Sequence, residues 1–432
     1  MLRRKIYDTL LKWKKTKEKE CLLIRGARQI GKTYIITAFG KKEYKSFIYL
    51  NFYEHPELKE VFAESLDAET IYKKISLQIN DKKYIENNTL IFLDEIQECP
   101  QARTSLKFLA IDGRFDVIAS GSMLGIAYQQ TASLPVGYER IVDMYALDFE
   151  EFLWACGKEK TAIDVLKEYF TKQEAVPNSI HDMMLGLLRE YLVLGGMPEV
   201  IKVFLKKNSF AEAFSLQKKI LESYRADIQK YASVPERQKI QDCYFSIPRQ
   251  LSKDYTKFQY KVVDSKGSAR RYENSLNWLV DAGMIQLCQN VSVPEFPLVA
   301  YEMPNQFKVY VTDIGLLTAM FGNNVQIALL KNELKGPAKG GIYENLVFDM
   351  LLKRDFKLHY YKNSQSTQEI EFIYESNTEI IPVEVKAKNG ATPSLNSFLE
   401  RYKPKTAYKL IAGNVGVNEQ KITLPLYMAM FL

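Results

Sequence analysis

Runs of consecutive apolar residues punctuate the first 150 positions, at 21–25, 46–52, 89–93 and 115–119, with a more mixed run at 139–146. Segments of this length read as strands, and those without polar alternation read as strands buried on both faces. Between them, apolar residues return at helical spacing over 32–40, 69–79 and 102–110. Strands alternating with helices predict an α/β fold on a parallel, doubly wound sheet, with any ligand at the carboxyl edge of the strands. Ahead of the first strand, Leu2, Ile6, Leu10 and Trp13 mark one face of a helix that can dock on this core.

Beyond residue 147 strand character is lost until about 232. A run of helical patterns starts at Phe149-Glu-Glu-Phe-Leu-Trp154 and is interrupted near Pro177 and at Gly195-Gly196. From 236 to 325 the pattern changes again. In 268–280, Tyr272, Leu276, Leu279 and Val280 share one helical face, while Arg270, Arg271, Asn274, Asn277 and Asp281 share the other. Strands at 284–288 and 307–311 follow, and helices followed by a short hairpin resemble a winged helix with 268–282 as its recognition helix. Arg270 and Arg271 then either reach a nucleic-acid backbone or edge, or cap the solvated face of a protein-docking module. The last hundred residues predict a helix over 343–352 and strands over 369–373 and 380–386. These shifts divide the chain into 1–155, 156–235, 236–330 and 331–432.

Composition narrows the class. A chain of 432 residues exceeds a single core and implies two to four domains. With 47% hydrophobic and 26% charged residues it falls among ordinary globular proteins. No apolar stretch approaches the roughly 20 residues of a membrane span, and the basic N-terminus has no apolar run behind it, so neither membrane nor signal peptide is expected. Cys21, Cys99, Cys156, Cys243 and Cys288 lie far apart, as do His55, His181 and His359. That spacing predicts a reduced, cytoplasmic protein and excludes zinc clusters, a disulfide framework and a serine-hydrolase triad. The net charge of +7 admits a nucleic-acid partner, although lysine-rich solvated faces are the commoner origin of such an excess.

The chemistry concentrates in two places along the α/β region. Gly26, Ala27, Arg28, Gln29, Ile30, Gly31, Lys32 and Thr33 form a complete G-x-x-x-x-G-K-[ST] loop between a strand and a helix. The two glycines allow successive N–H groups to turn inward around phosphate oxygens, and the following helix adds its positive end. Lys32 then addresses the β/γ-phosphates of ATP, and the Thr33 hydroxyl ligates Mg²⁺. The strand Thr89-Leu-Ile-Phe-Leu93 ends in Asp94-Glu95, a Walker B arrangement. In it Asp94 holds the Mg²⁺ water shell and Glu95 polarises the attacking water as a general base. Ser120, at the end of the next strand, is either a sensor of the γ-phosphate or part of a Gly-Ser turn.

Together these motifs resemble the AAA-type ATPases of bacteria and archaea that carry a DUF4143-type C-terminal region. Further matches are Leu134-Pro-Val-Gly137, Leu147-Asp-Phe-Glu-Glu-Phe-Leu153, Leu194-Gly-Gly-Met-Pro-Glu-Val200 and Lys308-Val-Tyr-Val-Thr-Asp-Ile-Gly-Leu-Leu317. The resemblance implies that 156–235 is a helical lid over the nucleotide, and it makes a homo-oligomer or a protein partner plausible. Arg103 and Arg140 are candidates for an arginine finger. In the C-terminal segment, strand alternation puts Glu369 with Glu371 on one face, and Glu384 with Lys386 on one face. With Glu344 on the preceding helix, this order resembles the PD-(D/E)xK nuclease fold. That resemblance implies Glu344 and Glu384 as metal ligands and Lys386 as the catalytic lysine, while Glu371 stands where aspartate is usual. The longer side chain fits the close octahedral geometry of Mg²⁺ poorly. Three functions stay open: an ATP-driven switch coupled to nucleic-acid- or protein-binding domains, an ATP-gated nuclease, and a module whose winged helix binds nucleic acid or a partner without cleaving.

Overall fold

The apolar runs of the first 146 residues are strands of one parallel sheet in the computed structural model. The structure describes residues 2–16, 19–79, 84–123, 135–253, 257–365, 368–387 and 390–432. Strands β1 (Cys21–Gly26), β2 (Ser46–Asn51), β3 (Thr89–Asp94), β4 (Asp116–Ser122) and β5 (Glu139–Asp143) take the order β2-β3-β4-β1-β5. Every pairing is parallel. All six residues of β3 are buried, as a strand covered on both faces must be. Helices Lys32–Glu43, Ala68–Gln78 and Pro100–Asp112 connect the strands. The strand expected over 139–146 ends at Asp143, although Met144 still donates its N–H to Arg25 at 2.8 Å. Helix Lys5–Lys15 buries Leu10 and Trp13, with Leu2 and Ile6 half-buried. Of the motif Leu134–Gly137, Leu134 lies outside the described residues.

The chain forms two compact units, one of residues 1–146 with 281–283 and one of 147–280 with 284–432. The second begins with helix Phe149–Ala155, whose start carries a full capping box between Asp148 and Glu151. Helices Lys160–Lys172, Asn178–Leu194, Pro198–Lys207, Phe210–Tyr231 and Val234–Leu251 follow. Among the described residues no helix is long and apolar enough to cross a membrane.

Strands β6 (Ile285–Val291), β7 (Glu302–Val311), β8 (His359–Lys362), β9 (Glu369–Ser376), β10 (Glu379–Val385), β11 (Ala407–Ile411), β12 (Gly416–Asn418) and β13 (Lys421–Pro425) share one sheet. Its order is β12-β13-β11-β10-β9-β8-β6-β7. The hairpin β6–β7 is therefore not a free-standing wing. The outer edge of β6 pairs in parallel with β8, so strands on either side of residue 330 belong to one layer. An unpaired strand edge carries unmet N–H and C=O groups, and β8 pairs with that edge at Gln289, Asn290 and Val291.

Two glycine-bearing motifs meet in this unit. Asp313 caps helix Ile314–Phe321 by accepting from the Leu316 N–H, and its second oxygen accepts from the Gly196 N–H at 2.7 Å. A β-carbon on Gly196 would lie 2.1 Å from the Leu147 carbonyl oxygen, and one on Gly315 would lie 2.4 Å from that of Leu194. Only glycine admits backbones this close.

Candidate nucleotide site

Strand β1 delivers the loop at the carboxyl edge of the first sheet. Gly26 is required there because a β-carbon would stand 2.2 Å from the Met144 carbonyl oxygen and 2.5 Å from Ile30 Cδ1. Gln29 (φ 64°) and Gly31 (φ 90°) both take the left-handed conformation, which curls the loop before helix Lys32–Glu43 starts. Ala27 and Arg28 are half-buried and Ile30 is buried. Lys32 is 9% exposed, and its ammonium donates to the carbonyls of Gly26 (2.9 Å) and Ala27 (2.8 Å). Burial lowers its pKa to about 8, against the pull of Glu95 and Asp94 and with a further push from Arg28.

Asp94 is the hub of the site. Only 1% exposed, its carboxylate accepts from Thr33 Oγ1 at 2.9 Å, Tyr49 Oη at 3.0 Å, the Glu95 N–H at 3.1 Å and Ser120 Oγ. Strand β3 places Asp94, the loop places Thr33, and β4 places Ser120. Thr33 and Asp94 are hard oxygen donors of the kind Mg²⁺ selects, and their contact shows that both reach one point, so these residues fit the ion. Glu95 sits at φ 53°, ψ 47°, a strained position for a residue with a β-carbon. Its carboxylate accepts from Gln97 Nε2, whose own amide oxygen is buried without a partner.

Tyr49 and Gln97 were not expected from the sequence. Tyr49 lies in β2 opposite Phe92 of β3, a register that no single-sequence signal reveals. Of the two arginine-finger candidates, Arg103 is buried in a two-point ion pair with Glu139 at 2.8 and 3.2 Å. Arg140 is exposed.

In the second unit the structure brings Glu344, Glu371, Glu384 and Lys386 together, and it adds Lys308, Tyr310, Lys362 and Glu369. Lys386 bridges Glu371 and Glu384 at 2.8 Å each. Lys308, 1% exposed, bridges Glu344 and Glu369 at 2.8 Å each, and Lys362 also binds Glu369. Tyr310 donates to Glu344. Burial alone would lower the Lys308 pKa, but Glu344, Glu369 and Glu371 together carry it above the ordinary value. Burial raises Glu371 to about 8, aided by Glu384 and opposed by Lys386. One Glu384 oxygen is buried without a hydrogen-bond partner. Among the described residues no group of three or more His, Cys, Asp or Glu side chains is arranged to hold a metal ion. Each of the carboxylates of Glu344, Glu369, Glu371 and Glu384 holds a lysine ammonium. Lys308 carried a sequence signal, a lone lysine inside the apolar strand Lys308-Val-Tyr-Val311.

On helix Ala269–Asp281, Tyr272, Leu276 and Leu279 are buried and Arg270 and Arg271 exposed, with Arg271 paired to Asp264 at 2.8 Å.

Residues 18–153 match a family model described as an AAA domain, and residues 339–429 match the domain of unknown function DUF4143. Residues 185–326 match a further domain of unknown function, DUF8612. No curated protein matches the sequence. Among solved structures, the chain is similar to the Walker-type ATPase PABY2304 of Pyrococcus abyssi. The identity is 14%, over 74% of this chain and 96% of that one, with a TM-score of 0.42. It is also similar to AMPPCP-bound DnaA from Aquifex aeolicus, at 14% identity over 64% of this chain and 88% of that one, with a TM-score of 0.31. Cdc6p from Pyrobaculum aerophilum is similar at 12% identity, over 73% and 88% of the two chains, with a TM-score of 0.24.

Proposed function

We propose that this chain, which belongs to the AAA-type P-loop ATPases with a C-terminal DUF4143 region, is an ATP-driven switch. The observation that carries the reading is the convergence on Asp94 of Thr33 from the loop and Ser120 from β4. Backbone N–H groups of residues 26–33 would take the phosphates of ATP, and the Lys32 ammonium would exchange the carbonyls of Gly26 and Ala27 for the β/γ-phosphate oxygens. Thr33 and Asp94 would hold Mg²⁺, which when bound neutralises charge on the phosphates. Glu95 would orient and deprotonate water, with Gln97 fixing its carboxylate and Ser120 sensing the γ-phosphate.

The C-terminal unit is the output of this switch, a binding region for nucleic acid or a protein partner. Lysines on every carboxylate of the Glu344–Glu371–Glu384 cluster favour binding over metal-dependent cleavage. ATP binding and turnover in the full chain test the proposal. Lys32→Ala should lose binding, whereas Glu95→Gln should bind ATP and lose at least about 100-fold in turnover. Wild-type turnover in Lys32→Ala would sink the nucleotide assignment. Mg²⁺-dependent cutting of DNA or RNA that vanishes in Glu384→Ala would instead establish the nuclease.

A further inference from the structure

We infer that Arg4 is a positioning residue for the phosphate loop, an inference that rests on the nucleotide reading above. Arg4 immediately precedes helix Lys5–Lys15, yet its side chain makes no capping bond to that helix. Its guanidinium is turned into the protein, leaving the residue 7% exposed. Nη1 donates to the carbonyl of Ile30 at 3.1 Å, and Nη2 donates to the carbonyl of Tyr145 at 2.6 Å. Burying an arginine is costly unless its donors find acceptors, and these two main-chain oxygens are acceptors for both terminal nitrogens.

The first contact controls the direction of a peptide group. A trans peptide is planar, with its C=O and N–H on opposite sides, so a hand on the Ile30 carbonyl also aims the Gly31 N–H. That peptide joins Ile30 to Gly31 (φ 90°), which has no β-carbon to restrict it, one residue beyond the left-handed Gln29 (φ 64°). Held as it is, the peptide turns its N–H away from Arg4. Flipped, it would turn a carbonyl dipole the same way, and a loop that binds phosphate through N–H groups would lose a donor and gain a repulsion.

The second contact fixes the frame against which the loop is held. Met144, beside Tyr145, takes the carbonyl of Arg25 with its N–H at 2.8 Å, and its own carbonyl oxygen occupies the space a Gly26 β-carbon would need. Residues 144 and 145 therefore hold the loop at two points, directly where it leaves Arg25 and through Arg4 at Ile30. This span is set by an arginine 26 residues ahead of the position it orders.

Arg4→Met keeps the stem and removes the donors, and Arg4→Lys can reach one carbonyl. Affinities of the full chain for ATP and ADP, measured by calorimetry beside wild type and Lys32→Ala, give the test, with the thermal midpoint of the nucleotide-free protein followed in parallel. Arg4→Met should bind both nucleotides about tenfold more weakly, the scale of a hydrogen bond to a charged group. Arg4→Lys should fall between it and wild type. A role in packing alone would lower the midpoint and leave the affinity of the folded protein unchanged. Affinities within twofold of wild type in Arg4→Met, with binding lost in Lys32→Ala, overturn the inference and leave the nucleotide site standing. If Arg4→Met does not fold, wild-type affinity in Arg4→Lys overturns it equally. Wild-type protein that binds neither nucleotide overturns the underlying reading, and the inference with it.

Discussion

The Thr33 hydroxyl donates to the Asp94 carboxylate across 2.9 Å, joining a loop residue to a strand end 61 positions away. Two hard oxygen donors already in contact would leave little to reorganise on binding a hard cation. Asp94→Asn keeps the shape and removes the charge. Mg²⁺ should strengthen ATP binding in the wild type, and in Asp94→Asn this gain should shrink by about 10- to 100-fold. Calorimetric titrations of ATP with Mg²⁺ and with EDTA measure it, and an undiminished Mg²⁺ effect in the variant would refute the role of Asp94.

If Lys32 binds the phosphates as proposed, it should link ATP affinity to pH. Burial first, then Arg28, hold its pKa down to about 8 despite Glu95 and Asp94. Below pH 8 the ammonium is present and affinity should be flat. Above it, affinity should fall by up to about tenfold per pH unit as one proton must be taken up on binding. Folding stability should respond with the opposite sign. Between about pH 8 and the ordinary lysine value near 10.4 the unfolded chain binds the proton and the folded chain does not, so this residue's contribution grows more favourable as pH rises. Lys32→Met should flatten both profiles; a pH dependence that survives in it belongs to another group.

Lys308 should be indispensable to the second unit. Its removal leaves Glu344 buried and Glu369 largely so, each short of a cation 2.8 Å away. Lys308→Met should cost about 3–5 kcal/mol in urea denaturation. Adding Glu344→Gln, which keeps an acceptor for Tyr310, should recover much of the loss because the uncompensated charge is gone. If the double variant is no more stable than the single, the charge pairing is not what holds this cluster.

Gly196→Ala should destabilise by about 3 kcal/mol or more, because its β-carbon would sit 2.1 Å from a backbone oxygen that cannot yield. Gly340→Ala provides the contrast. Its β-carbon meets nothing within 4 Å on helix Pro337–Leu352, so the change should be neutral or stabilising by about 0.5–1 kcal/mol. Thermal midpoints of the two variants moving together would contradict the packing argument.

The nucleotide loop was legible because its chemistry is local. Eight consecutive residues supply the turns, the cation and the hydroxyl, and an apolar strand ending in Asp94-Glu95 supplies the acids. Period and run length likewise located β1 to β4 within a few residues, since the burial that selects apolar side chains repeats along each element. The motifs around Gly195-Gly196 and Asp313 were visible as strings without a reason. Their reason is a contact across 117 residues, in which one carboxylate caps a helix and grips the other motif's backbone.

Residue types and their spacing along the chain thus decided that a phosphate loop, a strand-end acid pair and a buried parallel sheet would form, because each of these is a property of neighbouring residues. Tertiary structure alone decided that Tyr49 and Ser120 would share Asp94, that Arg4 would hold Ile30, that Lys308 would bridge Glu344 and Glu369, and that β6 would pair with β8. The energy of a buried charge or an open strand edge depends on which partner arrives from elsewhere in the chain, and no local pattern of side chains carries that information.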